Sequence, residues 1–276
     1  MIDIVTVVFK DDLHTLPLQA ESIGLYCKDL DINKVSVIIN DDDSLRDQVD
    51  QHWWTHAGKF ELIPQFKFAR EFPLDGWVTQ QASKLIAAMH SPGWCMVLDA
   101  KTIFIKNIDS HMLFDECNRA RVGTKPIPPV FAKSKEITEL LFDIVMVDQL
   151  GPGGVPFMFH GPSIKQMIDH IESRLSMPFG EWFCKQGMLT EFLLYSGFIQ
   201  YRDSTYDKLY SAEVEIIPTN ICDTDPEGVD LKLRYMPKSH TVSIHRGIWA
   251  SMSDIQKTSY RNILLESGIT RCKDLY

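Results

Sequence analysis

The sequence predicts an α/β fold: a single domain built on an open, mostly parallel central sheet flanked by helices. Three observations carry this expectation. Ile2 to Phe9, "IDIVTVVF", is an almost unbroken β-branched and aromatic run, as a strand covered on both faces requires. Lys34 to Asn40, "KVSVIIN", repeats that signal. Between them Leu16, Ala20, Ile23, Cys27 and Leu30 recur at helical spacing, with Pro17 tolerated in the first turn. A strand, helix, strand succession of this length closes as a right-handed unit with parallel strands, the start of an open sheet. Such sheets bind ligands at the carboxyl ends of their strands, here around Thr6 to Lys10 and Asn40 to Asp43.

Residues 77–90, "WVTQQASKLIAAMH", predict a helix with a core stripe of Val78, Ala82, Leu85, Ile86 and Met89 and a flanking stripe of Trp77, Gln81 and Lys84. "WCMVLD" follows as a third apolar strand, which puts Asp99 at a strand's carboxyl end, with Lys101 two residues on. "PSIKQMIDHIESRL" reads as a helix from about Pro162, with Ile164, Met167, Ile168, Ile171 and Leu175 facing inward. "GMLTEFLLYSGFI", 187–199, is a strongly apolar helix carrying one acid, Glu191. "VEIIPT" and "HTVSIHRG" read as strands, "DIQKTSYRNILLESG" as a closing helix, and Asn220 to Lys238 as a long loop or flap. The expected division is a domain over 1–250 with a C-terminal helix, 251–276, packed on it.

With 276 residues, 45% of them apolar, the chain is long enough for one large core. A net charge of −9 and the lack of any long Lys/Arg run argue against nucleic acid as a partner. "MIDIVTVVFKDD" has no basic leader and no apolar run reaches bilayer length, so no integral membrane segment and a cytoplasmic location are expected. Six cysteines without a C-x-x-C pair argue for reduced, mostly core thiols. "GPGGVP" lacks the Gly-Lys-Ser/Thr ending of a phosphate loop, which removes nucleoside-triphosphate hydrolysis.

"GWVTQQASKL", "WCMVLDAKTIF" and "TEFLLY" resemble the GT-A glycosyltransferases, the nucleotide-diphospho-sugar transferase superfamily with its Rossmann-like sheet. More narrowly they are similar to an uncharacterised glycosyltransferase-like family of bacteria and phages in which Asp-Ala-Lys stands in place of Asp-x-Asp. The resemblance implies a GT-A-like fold and transfer of a sugar from a nucleotide-diphosphate-sugar donor to a carbohydrate or other hydroxyl acceptor. In the superfamily the Asp-x-Asp carboxylates hold a divalent metal on the donor's diphosphate. Here the second carboxylate is Lys101, whose ammonium can supply positive charge at the leaving group. Two alternatives stay open: Mn²⁺ or Mg²⁺ bound by Asp99 and His245, or metal independence through Lys101.

The resemblance further implies a donor site of Thr6, Val7, Phe9 and Lys10 at the first strand's end, with Asn40 and Asp41 near the base. Gln81, Lys84, Asp99, Lys101, His245 and Arg246 complete it, Arg246 by paired contacts to phosphate. The alternative for Gln81 and Lys84 is a solvated helix face; for Asn40 to Asp42 it is an Asx turn; for His245 it is a buried, backbone-bonded imidazole. Glu191, amid Leu189, Phe192, Leu193 and Leu194, has an environment that raises its pKa and makes it the candidate general base, alongside Asp99 and Lys101 in the catalytic group. Its alternative role is a helix-start acid favoured by the dipole. On the acceptor side stand His160, Trp182 and Glu191. Trp182, Phe183 and Trp249 offer aromatic faces to sugar rings, or belong to the core. Competing functions are a non-catalytic nucleotide- or carbohydrate-binding protein of the same fold, and a sugar-phosphate nucleotidyltransferase. The absence of glycine in "VVFKDDLHT" counts against the latter.

Overall fold

β1 (Ile2–Val8) is buried along its whole length, because it lies at the centre of the sheet and both faces carry apolar side chains. The computed structural model describes residues 1–40, 43–54, 59–64, 76–151, 155–222 and 225–274. α1 (Leu16–Tyr26) returns the chain to β2 (Ile32–Ile39), which pairs parallel to β1 with Ile4 opposite Val35. β3 (Lys59–Pro64) adds a parallel strand outside β2. α2 (Gly76–Ala88) leads to β4 (Trp94–Asp99), parallel to β1 on its other side, and β5 (Ile103–Phe104) follows at once.

The middle of the chain forms α3 (Ser110–Leu113), β6 (Ala120–Arg121), β7 (Thr124–Pro126), α4 (Ala132–Phe142) and β8 (Asp148–Leu150). β9 (Phe157–His160) then joins the central sheet antiparallel to β4, giving the order β3-β2-β1-β4-β9. α5 (Gly161–Leu175), α6 (Phe179–Lys185) and α7 (Glu191–Asp203) complete the main core, and β10 (Tyr210–Ser211) pairs with β6. The architecture is therefore α/β with a mainly parallel central sheet, as the strand signals require.

A second apolar cluster lies beneath a small sheet of order β11-β12-β5, formed by β11 (Pro218–Ile221), β12 (Thr241–Ile244) and β5. It is covered by α8 (Pro226–Tyr235), α9 (Arg246–Ser251) and α10 (Asp254–Glu266). α10 starts on a capping box made by Ser253 and Gln256, and Gln256 also donates to Asp230 on α8 at 2.8 Å. Among the described residues no helix is long and apolar enough to cross a membrane.

Three expectations are corrected. The stretch expected as a loop, 220–238, contains α8: Asp225 caps it through the Glu227 amide, Pro226 opens it, and Val229 and Leu233 are buried. Only two inward apolar residues in ten leave a weak periodic signal, and the cap is what marks the helix. The strand expected at "VEIIPT" forms later, at Pro218–Ile221. Leu175, expected to face inward, is 36% exposed at the end of α5, past the last turn that touches the core. Four of the six cysteines are buried, and all six are free.

Gly161 shows how closely β9 and α5 approach α2. A Cβ there would stand 2.2 Å from the Ser91 carbonyl oxygen and 2.8 Å from that of Ala88, both backbone atoms that cannot rotate away. Gly161→Ala is expected to cost about 3 kcal/mol, the upper end of overpacking penalties. Urea denaturation measures it, and a loss under about 1 kcal/mol would mean that the α2–α5 contact is loose.

Candidate functional site

The carboxyl ends of β1, β2 and β4 open into a cleft of about 480 Å³. Val7, Val8 and Phe9 reach it from β1 and Asn40 from β2. The Asn40 amide donates to the Gly76 carbonyl at 2.7 Å, which ties the end of β2 to the start of α2. Trp77, Gln80, Gln81 and Lys84 line it from α2, and Asp99, Ala100 and Lys101 from the turn after β4. The Gln19 side chain on α1 donates to the Asp99 and Thr102 carbonyls at 2.7 and 3.1 Å, so that turn is held from below. The facing wall comes from residues that follow the Asp99–Lys101 turn in the chain: Phe131, Gln149, Val155, Thr190, Glu191 and Phe192. His245 and Arg246, at the start of α9, close a third side with Asp12.

At the cleft's base three charged side chains are joined. The Lys84 ammonium lies 2.9 Å from Asp99 Oδ1 and 3.0 Å from Glu191 Oε1, with its side chain only 4% exposed. Lys101 Nζ approaches Asp99 Oδ2 at 3.5 Å, and the Gln80 amide donates to Asp99 Oδ1 at 3.3 Å. With its amide oriented to satisfy both ends, Gln81 donates to the Glu191 carboxylate and accepts from Trp77 Nε1 at 3.2 Å. Glu191 is the first residue of α7. Thr190 caps the helix through the Leu193 amide, so the carboxylate also sits at the positive end of a helix.

Burial alone would lower the pKa of Lys84, but Asp99 and Glu191 outweigh it and raise it. Burial would raise that of Asp99, yet Lys84 and Lys101 hold its carboxyl well below the usual carboxylate range. Glu191 stays raised, because burial dominates over Lys84. The difference follows from position: the Asp99 side chain is 21% exposed and has two cations, whereas Glu191 is 1% exposed and shares one.

His245 caps α9, its Nδ1 accepting from the Gly247 amide at 3.2 Å. Burial first, then the charges of Lys101 and Arg246, lower its pKa, so near neutral pH it is an uncharged ring with its proton on Nε2. Arg246 lies 3.3 Å from Asp11 and 3.9 Å from Asp12, and its guanidinium covers the Phe9 ring at 5.2 Å.

Of the residues singled out in the sequence, the cleft brings together Val7, Phe9, Asn40, Gln81, Lys84, Asp99, Lys101, Glu191, His245 and Arg246. Gln81 and Lys84 are buried, which corrects the solvated-face alternative: α2 packs that stripe against α7 instead of water. The Lys84 ammonium, expected near phosphate, is engaged by two carboxylates. Six residues, Thr6, Lys10, His160, Trp182, Phe183 and Trp249, fall outside the lining. Thr6 is fully buried within β1, and Lys10 is exposed with its ammonium over the Phe9 ring. His160 pairs with Trp94 at the opposite end of β4 from Asp99, because β9 runs antiparallel, and its Nδ1 lies 2.8 Å from the Ser163 hydroxyl. Trp182 packs with Phe179 and Phe183 in the core, and Trp249 packs with Tyr260. Asp41 lies outside the described residues, as does Asp42.

Sequence reasoning missed Asp12, Gln80, Phe131, Gln149, Val155 and Phe192. Gln80 was within reach, since it neighbours Gln81 at the start of a recognised helix. Phe131 and Gln149 lie in three-residue elements, a 3-10 helix over Pro129–Phe131 and β8, too short to leave a periodic signal.

Among the described residues no group of three or more His, Cys, Asp or Glu side chains forms a metal-binding cluster. Both Asp99 oxygens already face ammonium groups, so a divalent ion at this carboxylate would meet two like charges. The donor set of Asp99 and His245 does not suit one.

Comparison with solved structures finds galactosyltransferase LgtC in complex with donor and acceptor sugar analogs, at a TM-score of 0.48 and 11% identity over 93% of this chain and 94% of that one. An active-site mutant of LgtC aligns at 0.45 and 10% identity, over 96% and 95%. No curated protein matches the chain. A family model matches residues 3–227, which span the central sheet, the Asp99–Lys101 turn and Glu191, and the chain therefore belongs to the family of unknown function DUF6492.

Proposed function

We propose that the protein is a glycosyltransferase that moves a sugar from a nucleotide-diphosphate-sugar donor to an acceptor hydroxyl. One observation carries this reading: a cleft at the carboxyl ends of parallel strands sets a cationic side, Lys101 and Arg246 with His245, against a wall holding the buried acid Glu191. In this reading Lys101, Arg246 and the Nε2–H of His245 receive the diphosphate and stabilise the charge that develops as the sugar–phosphate bond breaks. Glu191 takes the proton of the acceptor hydroxyl as the new bond to the anomeric carbon forms. A carboxylate has about four acceptor sites, so Lys84 and Gln81 do not exhaust it. Asp99, held below the ordinary carboxylate range, fixes Lys84 and Lys101 in place. The diphosphate charge is met by these side chains and not by a divalent ion.

The test is release of nucleoside diphosphate from a panel of nucleotide sugars, with Mn²⁺ and with EDTA. Release that persists in EDTA is the expected result; release only with Mn²⁺ would return the diphosphate to a metal. A second reading, a nucleotide- or sugar-binding protein without turnover, is favoured by the burial of Glu191 and its engagement by Lys84 and Gln81. Binding from the panel with no release under either condition would establish it. A nucleotidyltransferase is less well supported, because the turn after β1, Lys10–Thr15, is a glycine-free 3-10 helix with no phosphate-cradling loop.

A further inference from the structure

The proposed transferase leaves open which sugars it accepts, and one side chain outside its assigned roles bears on that. Gln149, on β8, is 1% exposed and lines the cleft, yet among the described residues its amide nitrogen has no hydrogen-bond partner. β8 is firmly placed: Gln149 sits opposite Lys125 on β7, and the Leu150 amide donates to the Ser196 hydroxyl on α7 at 3.0 Å. A buried donor in so fixed a strand is paired in nearly all folded proteins, by protein, water or ligand.

The neighbouring polar groups on this side are engaged with one another. Lys84 holds Asp99 and Glu191, Gln81 joins Glu191 to Trp77, and the Thr190 hydroxyl caps α7. On this side the cleft is lined by Gln149, whose buried amide nitrogen lacks a partner among the described residues, and by the apolar side chains of Phe131, Val155 and Phe192. That combination takes a group with apolar faces and an oxygen that accepts a hydrogen bond, and it supplies no unpaired cation for a carboxylate.

We propose that Gln149 is a specificity-determining residue whose amide donates to a hydroxyl oxygen of a neutral hexose, so that the donor's sugar is uncharged. The inference rests on the nucleotide-sugar reading above.

The experiment is calorimetric binding of UDP-glucose, UDP-galactose, GDP-mannose and dTDP-glucose, with UDP, GDP and dTDP as sugar-free counterparts, to the native chain, Gln149→Met and Gln149→Glu. Both substitutions keep the side chain's length; methionine has no donor, and an ionised glutamate only accepts. They are expected to weaken the preferred nucleotide sugar about tenfold, the size of one net hydrogen bond, and to leave the matching nucleoside diphosphate within about twofold. Unchanged nucleoside diphosphate binding also shows that the variants are folded. UDP-glucuronate is expected to bind the native chain at least about tenfold more weakly than UDP-glucose. Equal loss for both ligand classes, no loss for the nucleotide sugar, or UDP-glucuronate binding as tightly as UDP-glucose would overturn the proposal and leave the transferase reading standing. If the native chain binds none of these compounds, both fail together.

Discussion

Lys84→Met is expected to destabilise the protein by about 3–5 kcal/mol, the cost of removing one member of a buried ion cluster and leaving its partners uncompensated. The ammonium is 4% exposed and bridges Asp99 and Glu191, so its loss leaves the 1% exposed Glu191 carboxylate without a cation and Asp99 with Lys101 alone. Guanidinium denaturation at neutral pH measures the effect, and a loss below about 1 kcal/mol would mean that the cluster is hydrated. The pH dependence gives a second reading. In the native protein Asp99 is depressed, so its contribution to stability is present above the ordinary carboxylate value and lost as pH falls toward its folded value. Lys84 is raised, so its contribution is complete below the ordinary ammonium value and lost as pH rises through the folded one. Glu191 is raised and acts oppositely to Asp99, its ionisation costing stability as pH rises above the ordinary carboxylate value. In Lys84→Met Glu191 loses its counter-ion and Asp99 one of its two, so both acids protonate more readily. The deficit against the native protein should therefore shrink from neutral pH toward pH 4, and a deficit constant over that range would count against an electrostatic origin.

The second large effect is on ligand affinity. Lys101→Ala combined with Arg246→Ala should weaken nucleoside diphosphate binding by at least about 100-fold, since each charge-assisted contact is worth about 1.5–3 kcal/mol. Neither side chain holds the fold together. Lys101 touches Asp99 at 3.5 Å, and Arg246 meets Asp11 and Asp12 at 3.3 and 3.9 Å on an open surface. Stability should change little, while the salt dependence of binding should flatten as the two cations are removed. Calorimetry across a range of salt concentrations measures both. Affinity within about fivefold of the native chain would remove the diphosphate from this side of the cleft.

The parts of the site that the sequence made legible are those set by strand geometry. β1, β2 and β4 are long apolar runs, and Asp99 and Asn40 had to stand at their carboxyl ends once the strands were parallel. Glu191 stood out as one acid in an apolar stretch, and Thr190 supplied a cap that places it at the first turn of α7. Where periodicity was weak, the reading failed. α8 has only two buried apolar residues, so its sequence reads as a loop, and the direction of β9, which carries His160 away from the cleft, has no local signature.

The composition and periodicity of the chain by themselves determined an α/β sheet with its acids and amides at the strand ends, because hydrophobic period and capping act over a few residues and are written locally. Only the tertiary structure decided what those groups do for one another. Lys84 and Glu191 are 107 residues apart, and a lysine on a helix flank reads as solvated until α2 is seen packed against α7 with both carboxylates within 3.0 Å of its ammonium. Gln149 is the same case in reverse: a polar residue with no periodic signal around it, which packing places at the cleft with its amide nitrogen unpaired among the described residues. Charge pairing and desolvation depend on the partners that folding supplies, and the partners here come from the opposite half of the chain.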